Sequence, residues 1–289
     1  MRLAQKLRLL LLISRWRFWL YLAGTYLIGY TSSASSCHSF EDWRFWLNIG
    51  YFTLPANLLL YGINDLFDSD TDTINPKKAT KEVLLDETKR KIVLQSLPFL
   101  ALISIAILVI QTSAAASITM MVFLILTICY STPPIRLKAR PFLDSASNSL
   151  YACPLIIGYA QNTGKLPGVE IIAAAIFWTS AMHLLSAIPD INSDKAALLK
   201  TSATQLGTSG SLLVCAILWA SCCAFLWHNR LLLPFSYLAA IYPLIPFMLL
   251  IFRKERLIEK VYWYYPILNG AAGFIVFLLE VSKICHVSA

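Results

Sequence analysis

Long apolar runs constrain this chain more than any other feature of its sequence. Residues 99–110 read FLALISIAILVI, with one serine and no charge. Where no water reaches, every backbone amide and carbonyl must pair within the chain, so runs of this kind in a bilayer become helices. Nine segments are long enough to cross roughly 30 Å of hydrocarbon: 17–35, 44–63, 92–112, 114–131, 145–161, 168–188, 209–227, 231–252 and 264–284. The continuous apolarity excludes the alternating pattern of a membrane barrel. Only 14% of residues are charged, against roughly 25% in soluble domains, and nine such runs exceed what one soluble core could hide. The expected fold is all-α and integral to the membrane, as one polytopic domain over 1–289.

Basic residues orient it. Twenty of the 24 Lys and Arg residues lie in the N-terminal segment or in the loops after spans 2, 4, 6 and 8. The opposite side keeps Arg44, Lys165, Arg230 and Lys283. The positive-inside rule then places the N-terminus in the cytoplasm and, with nine spans, the C-terminus across the membrane. The expected setting is the cell inner membrane. The net charge of +8 is a topology signal, and its division over five loops argues against nucleic acid as a partner. Span 1 is expected to be retained, although TSSASS follows it. The seven cysteines are scattered, odd in number and without a CxxC. They read as small buried hydrophobes, with neither a disulfide framework nor a zinc site expected.

Against this background the acids stand out. Asp65, Asp68, Asp70 and Asp72 make up a quarter of the 16 acidic residues and sit in NDLFDSDTD, directly after span 2. Treated as a helical continuation of the span, at about 100° per residue, Asn64, Asp65, Asp68 and Asp72 share one face about 100° wide, and Asp70 falls on the far side. A second motif, PDINSDK, follows span 6; its Asp190 and Asp194 are again one helical turn apart, and Pro189 is expected to bend the end of the span. By the charge pattern both motif loops, about 64–91 and 189–207, are cytoplasmic. Stacked carboxylates repel, and a hard divalent cation such as magnesium relieves that repulsion, commonly through one or two carboxylates plus substrate phosphates. A solvated pair of acidic loops and a cation-coupled transporter are the competing readings. Against the transporter, the acids sit at span ends and His183 is the main ionisable group in midspan.

These residues resemble the UbiA superfamily of intramembrane prenyltransferases. The NDxxDxxxD form is met by Asn64, Asp65, Asp68 and Asp72. The DxxxD form with a following base is met by Asp190, Asp194 and Lys195. The segment YSTPPIRLKARPFLD (130–144) is similar to the stretch after helix 4 of that family. The resemblance implies nine transmembrane helices around a central cavity. It also implies magnesium-dependent transfer of a prenyl group from a prenyl diphosphate donor to a hydrophobic acceptor within the bilayer. Asn64, Asp65, Asp68, Asp72, Asp190 and Asp194 would bind the metal, with Asp68, Asp72, Asp190 and Asp194 catalytic through it. Lys195, Lys200, Arg136 and Lys138 are candidates for the diphosphate, each also accounted for by the positive-inside pattern, and Arg15 and Arg17 are further ones. Tyr61, Tyr130 and His183 are candidates to line the cavity. The carotenoid-acting branch, the lycopene elongases, is the most similar; prenylation of a quinone precursor or a lipid is the alternative. Leu198 departs from the glycine common in that branch, and Trp16 from its proline. A CDP-alcohol phosphotransferase is disfavoured because its DG…AR pattern is missing.

Overall fold

The structure is a computed structural model, and it describes residues 2–68, 83–228, 233–252 and 255–286. Among them every regular element is helical. In chain order the α-helices are α1 (Leu3–Ile13), α2 (Trp19–Thr31), α3 (Trp43–Thr53), α4 (Pro55–Phe67), α5 (Glu87–Val109), α6 (Ala114–Ser131) and α7 (Leu143–Ala146). They continue as α8 (Cys153–Thr163), α9 (Val169–Ala187), α10 (Ile191–Ala196), α11 (Ser202–His228), α12 (Leu233–Ala239), α13 (Ile241–Phe252) and α14 (Glu255–His286). Several starts are set by short polar side chains that accept orphan amide N–H groups. Asp42 caps α3 through the Arg44 N–H, Asp86 caps α5 through that of Lys89, and Ser113 caps α6 through that of Ala116. At Asp86, which is exposed, the Lys89 N–H holds the carboxyl below its usual range.

Five stretches among the described residues are long and apolar enough to cross a membrane: Glu87–Val109, Ala114–Ser131, Val169–Ala196, Ser202–His228 and Arg256–Cys285. Of the other expected spans, 17–35 forms the 13-residue helix α2, shorter than a crossing helix, and the rest are interrupted. Pro55 opens α4 and, lacking an N–H, splits the expected span 44–63 into α3 and α4. The expected span 145–161 is α7, a 3₁₀ turn at Ser147–Tyr151 and α8. The described part of 231–252 divides into α12 and α13. The first motif also differs from its expected continuous helix. α4 ends at Phe67, and Asp68 is its C-cap with φ −107° and ψ 2°. Asp70 and Asp72 lie outside the described residues, as do Lys77, Lys78 and Lys81.

The chain forms two compact units. The first comprises 1–135, 153–166 and 273–289. Here α2 and α8 meet backbone to backbone, as small residues permit between membrane helices. A Cβ on Gly158 would fall 2.5 Å from the Tyr26 carbonyl oxygen and 2.7 Å from the Tyr30 nitrogen. A Cβ on Gly29 would overlap the Leu155 carbonyl. A buried polar network closes one end of this contact. Gln161 Oε1 accepts from the Tyr26 hydroxyl at 2.8 Å and from Asn48 Nδ2 at 3.3 Å, and Gln111 Nε2 donates to Asn48 Oδ1 at 3.0 Å. Cys37 and Cys285 are joined by a disulfide, with Cα atoms 5.5 Å apart. This corrects the expectation that no cysteine is bridged. Cys37 sits in a 3₁₀ turn outside the apolar runs, and a partner 248 residues away leaves no spacing signal. Cys153, Cys215 and Cys222 are buried thiols, as expected.

The second unit comprises 136–152 and 167–272. Its core gathers Leu184, Leu185, Leu212, Trp219, Tyr242, Leu249 and Tyr265 from α9, α11, α13 and α14. Pro189 ends α9 as expected, in a 3₁₀ turn at Ile188–Asp190 that leads into α10. α10 ends in a Schellman motif: the Leu199 N–H donates to the Asp194 carbonyl at 2.8 Å and the Leu198 N–H to that of Lys195 at 3.1 Å. Leu198 therefore holds the left-handed position, φ 56°, with its side chain 89% exposed. A glycine meets no penalty there, whereas a Cβ costs about 1–2 kcal/mol.

Two stability outcomes follow, both measurable by thermal unfolding in detergent. Leu198→Gly raises stability by about 1 kcal/mol, because relieved strain outweighs the added freedom of the unfolded chain. Gly158→Leu lowers it by about 3 kcal/mol through overpacking, whereas Gly50→Ala, inside α3 with nothing within 4 Å, raises it by about 0.5–1 kcal/mol.

Candidate active site: two acidic helix ends

The first acidic site is built on the last turn of α4, in the first unit. Asn64 is half-buried; Asp65 and Asp68 are 5% and 8% exposed. A helix C-terminus carries unpaired carbonyls and the negative pole of the macrodipole, so carboxylates buried there need compensating positive charge. Arg15 Nη2 donates to Asp65 Oδ1 at 2.7 Å. Arg90 Nη1 donates to the Leu66 carbonyl at 2.8 Å, and the Ser131 hydroxyl donates to Asn64 Oδ1 at 3.0 Å. Tyr61, one turn earlier, is buried; the Arg15 guanidinium carbon lies 4.5 Å from its ring centre and Phe18 packs beside it at 5.8 Å. Tyr130 is half-buried near the end of α6, beside Ser131 in sequence.

The second acidic site is in the second unit. Asp190 precedes α10 and Asp194 lies one turn on, both half-buried; Asn192 between them is exposed. The Ser193 hydroxyl donates to the Asp190 carbonyl at 2.9 Å and fixes the turn. Lys195 and Lys200 are exposed, and Arg136 and Lys138 are half-buried around a 3₁₀ turn at Leu137–Ala139, with Arg136 at φ 39°. His183 lies on α9, its Nε2 4.0 Å from Asp144 Oδ2 and close enough to feel the Asp190 charge.

Asp144 is a residue whose role the motif reading misses. It is fully buried. Its carboxylate accepts the Ser202 N–H and the Ser145 N–H, each at 2.7 Å, and the Ser202 hydroxyl. The Phe142 N–H in turn donates to Ser202 Oγ at 2.7 Å. An anion is thus held at the N-terminal end of α11, where the macrodipole favours it, and it anchors the chain directly after the second motif. The available signal is a lone acid ending the 130–144 segment before an apolar run.

No three His, Cys, Asp or Glu side chains among the described residues converge on one point. What those residues do offer is oxygen: two carboxylates and an amide within one turn of α4, and two carboxylates one turn apart at α10. That donor chemistry fits magnesium, which takes few protein carboxylates when a substrate phosphate completes its shell.

Comparison with known proteins shows the family. Residues 9–275 match the UbiA prenyltransferase family. The chain is 35% identical to a lycopene elongase/hydratase of Haloferax volcanii, over 96% of its own length and 89% of the relative's. It is 38% identical to the lycopene elongase/hydratase of Haloarcula japonica, over 93% and 90%. Its fold is similar to that of a UbiA homolog from Archaeoglobus fulgidus bound to DMAPP and Mg2+, with a TM-score of 0.71 at 21% identity, covering 93% of this chain and 98% of that one. An integral membrane protein with these motifs and these relatives is a prenyltransferase, and the chain belongs to the UbiA prenyltransferase family.

Proposed function

We propose that this enzyme transfers a prenyl group from a prenyl diphosphate to a carotenoid such as lycopene, with magnesium bound by the two acidic motifs. The similarity to lycopene elongase/hydratases over nearly the whole chain carries the acceptor; the A. fulgidus homolog bound to DMAPP and Mg2+ supports the donor and the metal. Nine spans, with the N-terminus and both motifs cytoplasmic and the C-terminus across the inner membrane, are part of the same reading. The Cys37–Cys285 disulfide supports this orientation, because it falls on the side away from the basic loops and disulfides persist in oxidising compartments.

Asn64, Asp68 and Asp72 from the first motif and Asp190 and Asp194 from the second hold the metal and the diphosphate. When bound, magnesium supplies fixed positive charge where the leaving group becomes negative. Lys195, Lys200, Arg136 and Lys138 add donors for the remaining phosphate oxygens. The C–O bond breaks and diphosphate departs with the electron pair. A terminal double bond of the acceptor supplies the electrons of the new C–C bond. The resulting cation ends by losing a proton or by adding water. An allylic cation in contact with bulk water is quenched to an alcohol, so the apolar helices must exclude water around it. Aromatic faces stabilise such a cation. Tyr130 is a candidate for that role, and Tyr61, whose ring already lies by Arg15 and Phe18, is a candidate through its remaining surface. His183, next to Asp144, is a candidate to line the acceptor side.

Purified protein given labelled dimethylallyl diphosphate, lycopene and magnesium will release diphosphate. Asp68→Ala and Asp190→Ala will each lower the rate by at least about 100-fold, as expected when a group that holds transition-state charge is lost. Asp70→Ala will retain most of it. Equal loss in all three variants contradicts the ligand set proposed here, in which Asp70 meets no fixed position of the NDxxDxxxD form.

A further inference from the structure

α1 has no place among the spans. Its 11 residues, Leu3–Ile13, rise about 16 Å at about 1.5 Å each, near half of the roughly 30 Å that a crossing needs. Beyond it Arg15, whose backbone is left-handed at φ 51°, breaks the chain before the 3₁₀ turn that leads into α2. One side of α1 is covered by protein: Leu9 and Ile13 are buried in a cluster with Ile63 and Leu66 of α4 and Ile92 and Val93 of α5. Another side is bare. Leu3, Leu7 and Leu11 are 73%, 54% and 45% exposed. At about 100° per residue they form a stripe about 80° wide, centred about 140° from the buried pair. Arg8, exposed, lies about 60° beyond one edge of that stripe, and Lys6, half-buried, about 60° beyond the other. Arg2 precedes the helix. No acid accompanies these cations, since Glu41 is the first Asp or Glu in the chain. Leu12, exposed beyond Arg8, stands at the end where the chain turns toward α2.

We propose that α1 is an interfacial helix that docks on anionic lipid headgroups. An apolar face bounded by cations lets a short helix lie in the plane of a bilayer surface, with its leucines in the acyl boundary and its basic side chains among the headgroups. The stems of Lys6 and Arg8 can run along apolar surface while their charges stay in water. Single exposed leucines are ordinary on a membrane protein. Here, however, Lys6 and Arg8 flank Leu7 in sequence, and a span facing lipid would not hold two cations at that level. A basic segment without acids favours headgroups of net negative charge over zwitterionic ones, each cation near the surface adding about fivefold in affinity. The assignment does not depend on the reaction proposed above.

A fluorophore on Leu3→Cys, Leu7→Cys or Leu11→Cys, one at a time, tests it in nanodiscs, with the half-buried thiols removed as Cys129→Ser and Cys223→Ser. Quenching by lipids brominated at different points along the acyl chain reports the depth of each position. The three will lie within about 3 Å of one another, at the depth of about 5–10 Å typical of interfacial helices. A change of about 12 Å between positions 3 and 11, the rise of eight helical residues, makes α1 the start of a span and overturns the proposal. So does the absence of quenching at all three, which puts the stripe in water or under a protein partner. At equal mole fraction, brominated phosphatidylglycerol will quench position 7 at least about fivefold more effectively than brominated phosphatidylcholine. Lys6→Gln/Arg8→Gln will remove that preference. Equal quenching by the two lipids with Lys6 and Arg8 intact, or a preference that survives their replacement, refutes the anionic headgroup as the partner. Should the double variant fail to fold, Arg8→Gln alone, at an exposed position, carries the same comparison; the depth measurement needs neither substitution.

Discussion

Negative charge buried at the negative end of a helix is the condition around which the first acidic site is organised. Asp65 and Asp68 sit there, in the last turn of α4, with little contact with water. Negative charge buried against the carbonyls of that turn is costly without compensating positive charge. Arg15 answers for Asp65 with a direct ion pair, and removing one partner of a buried pair costs about 3–5 kcal/mol. The positions of α1 and of the Trp16–Phe18 turn follow from that demand, since they bring a guanidinium from 50 residues upstream. Arg90 and Ser131 do the same work on the backbone and on the Asn64 amide.

The second acidic site uses the opposite pole. Asp144 lies where α11 begins and accepts the Ser202 N–H, so the helix favours its charge. The segment it tethers, Lys200 to Ser202, continues directly from the Schellman turn that ends α10. An exposed leucine in that turn is a local conflict: φ 56° suits glycine, and Leu198 gains no burial in return. Relief of this strain explains why Leu198→Gly is expected to stabilise the protein. Nothing in the structure requires a large side chain at this position.

Much of this was legible from sequence because its causes are local. Apolar length demands helices, Pro189 bends the end of span 6, and one-turn spacing pairs Asp190 with Asp194. The residues that are hard to read are those whose partners are distant. Arg15 looked like one cation among many at the start of a span, yet its role depends on Asp65. Asp144 looked like the end of a loop, yet its partner is Ser202. Cys37 carried no spacing signal toward Cys285. Pro55 stood in view, and its split of span 2 follows from proline chemistry alone; the apolar run on both sides hid it. The end of α4 at Phe67 is set by the turn at Asp68, and a uniform helical wheel cannot anticipate a terminus.

The family match over 9–275 makes the chain a prenyltransferase, and transfer to a polyene is the proposal that its similarity to the lycopene elongase/hydratases supports. The most direct test is expression of the chain in a lycopene-producing bacterium, followed by mass spectrometry of the extracted pigment. The account predicts carotenoids heavier than lycopene by one or two five-carbon prenyl units, with or without added water, and their loss on Asp68→Ala. Unaltered lycopene alongside active enzyme on another acceptor would contradict it.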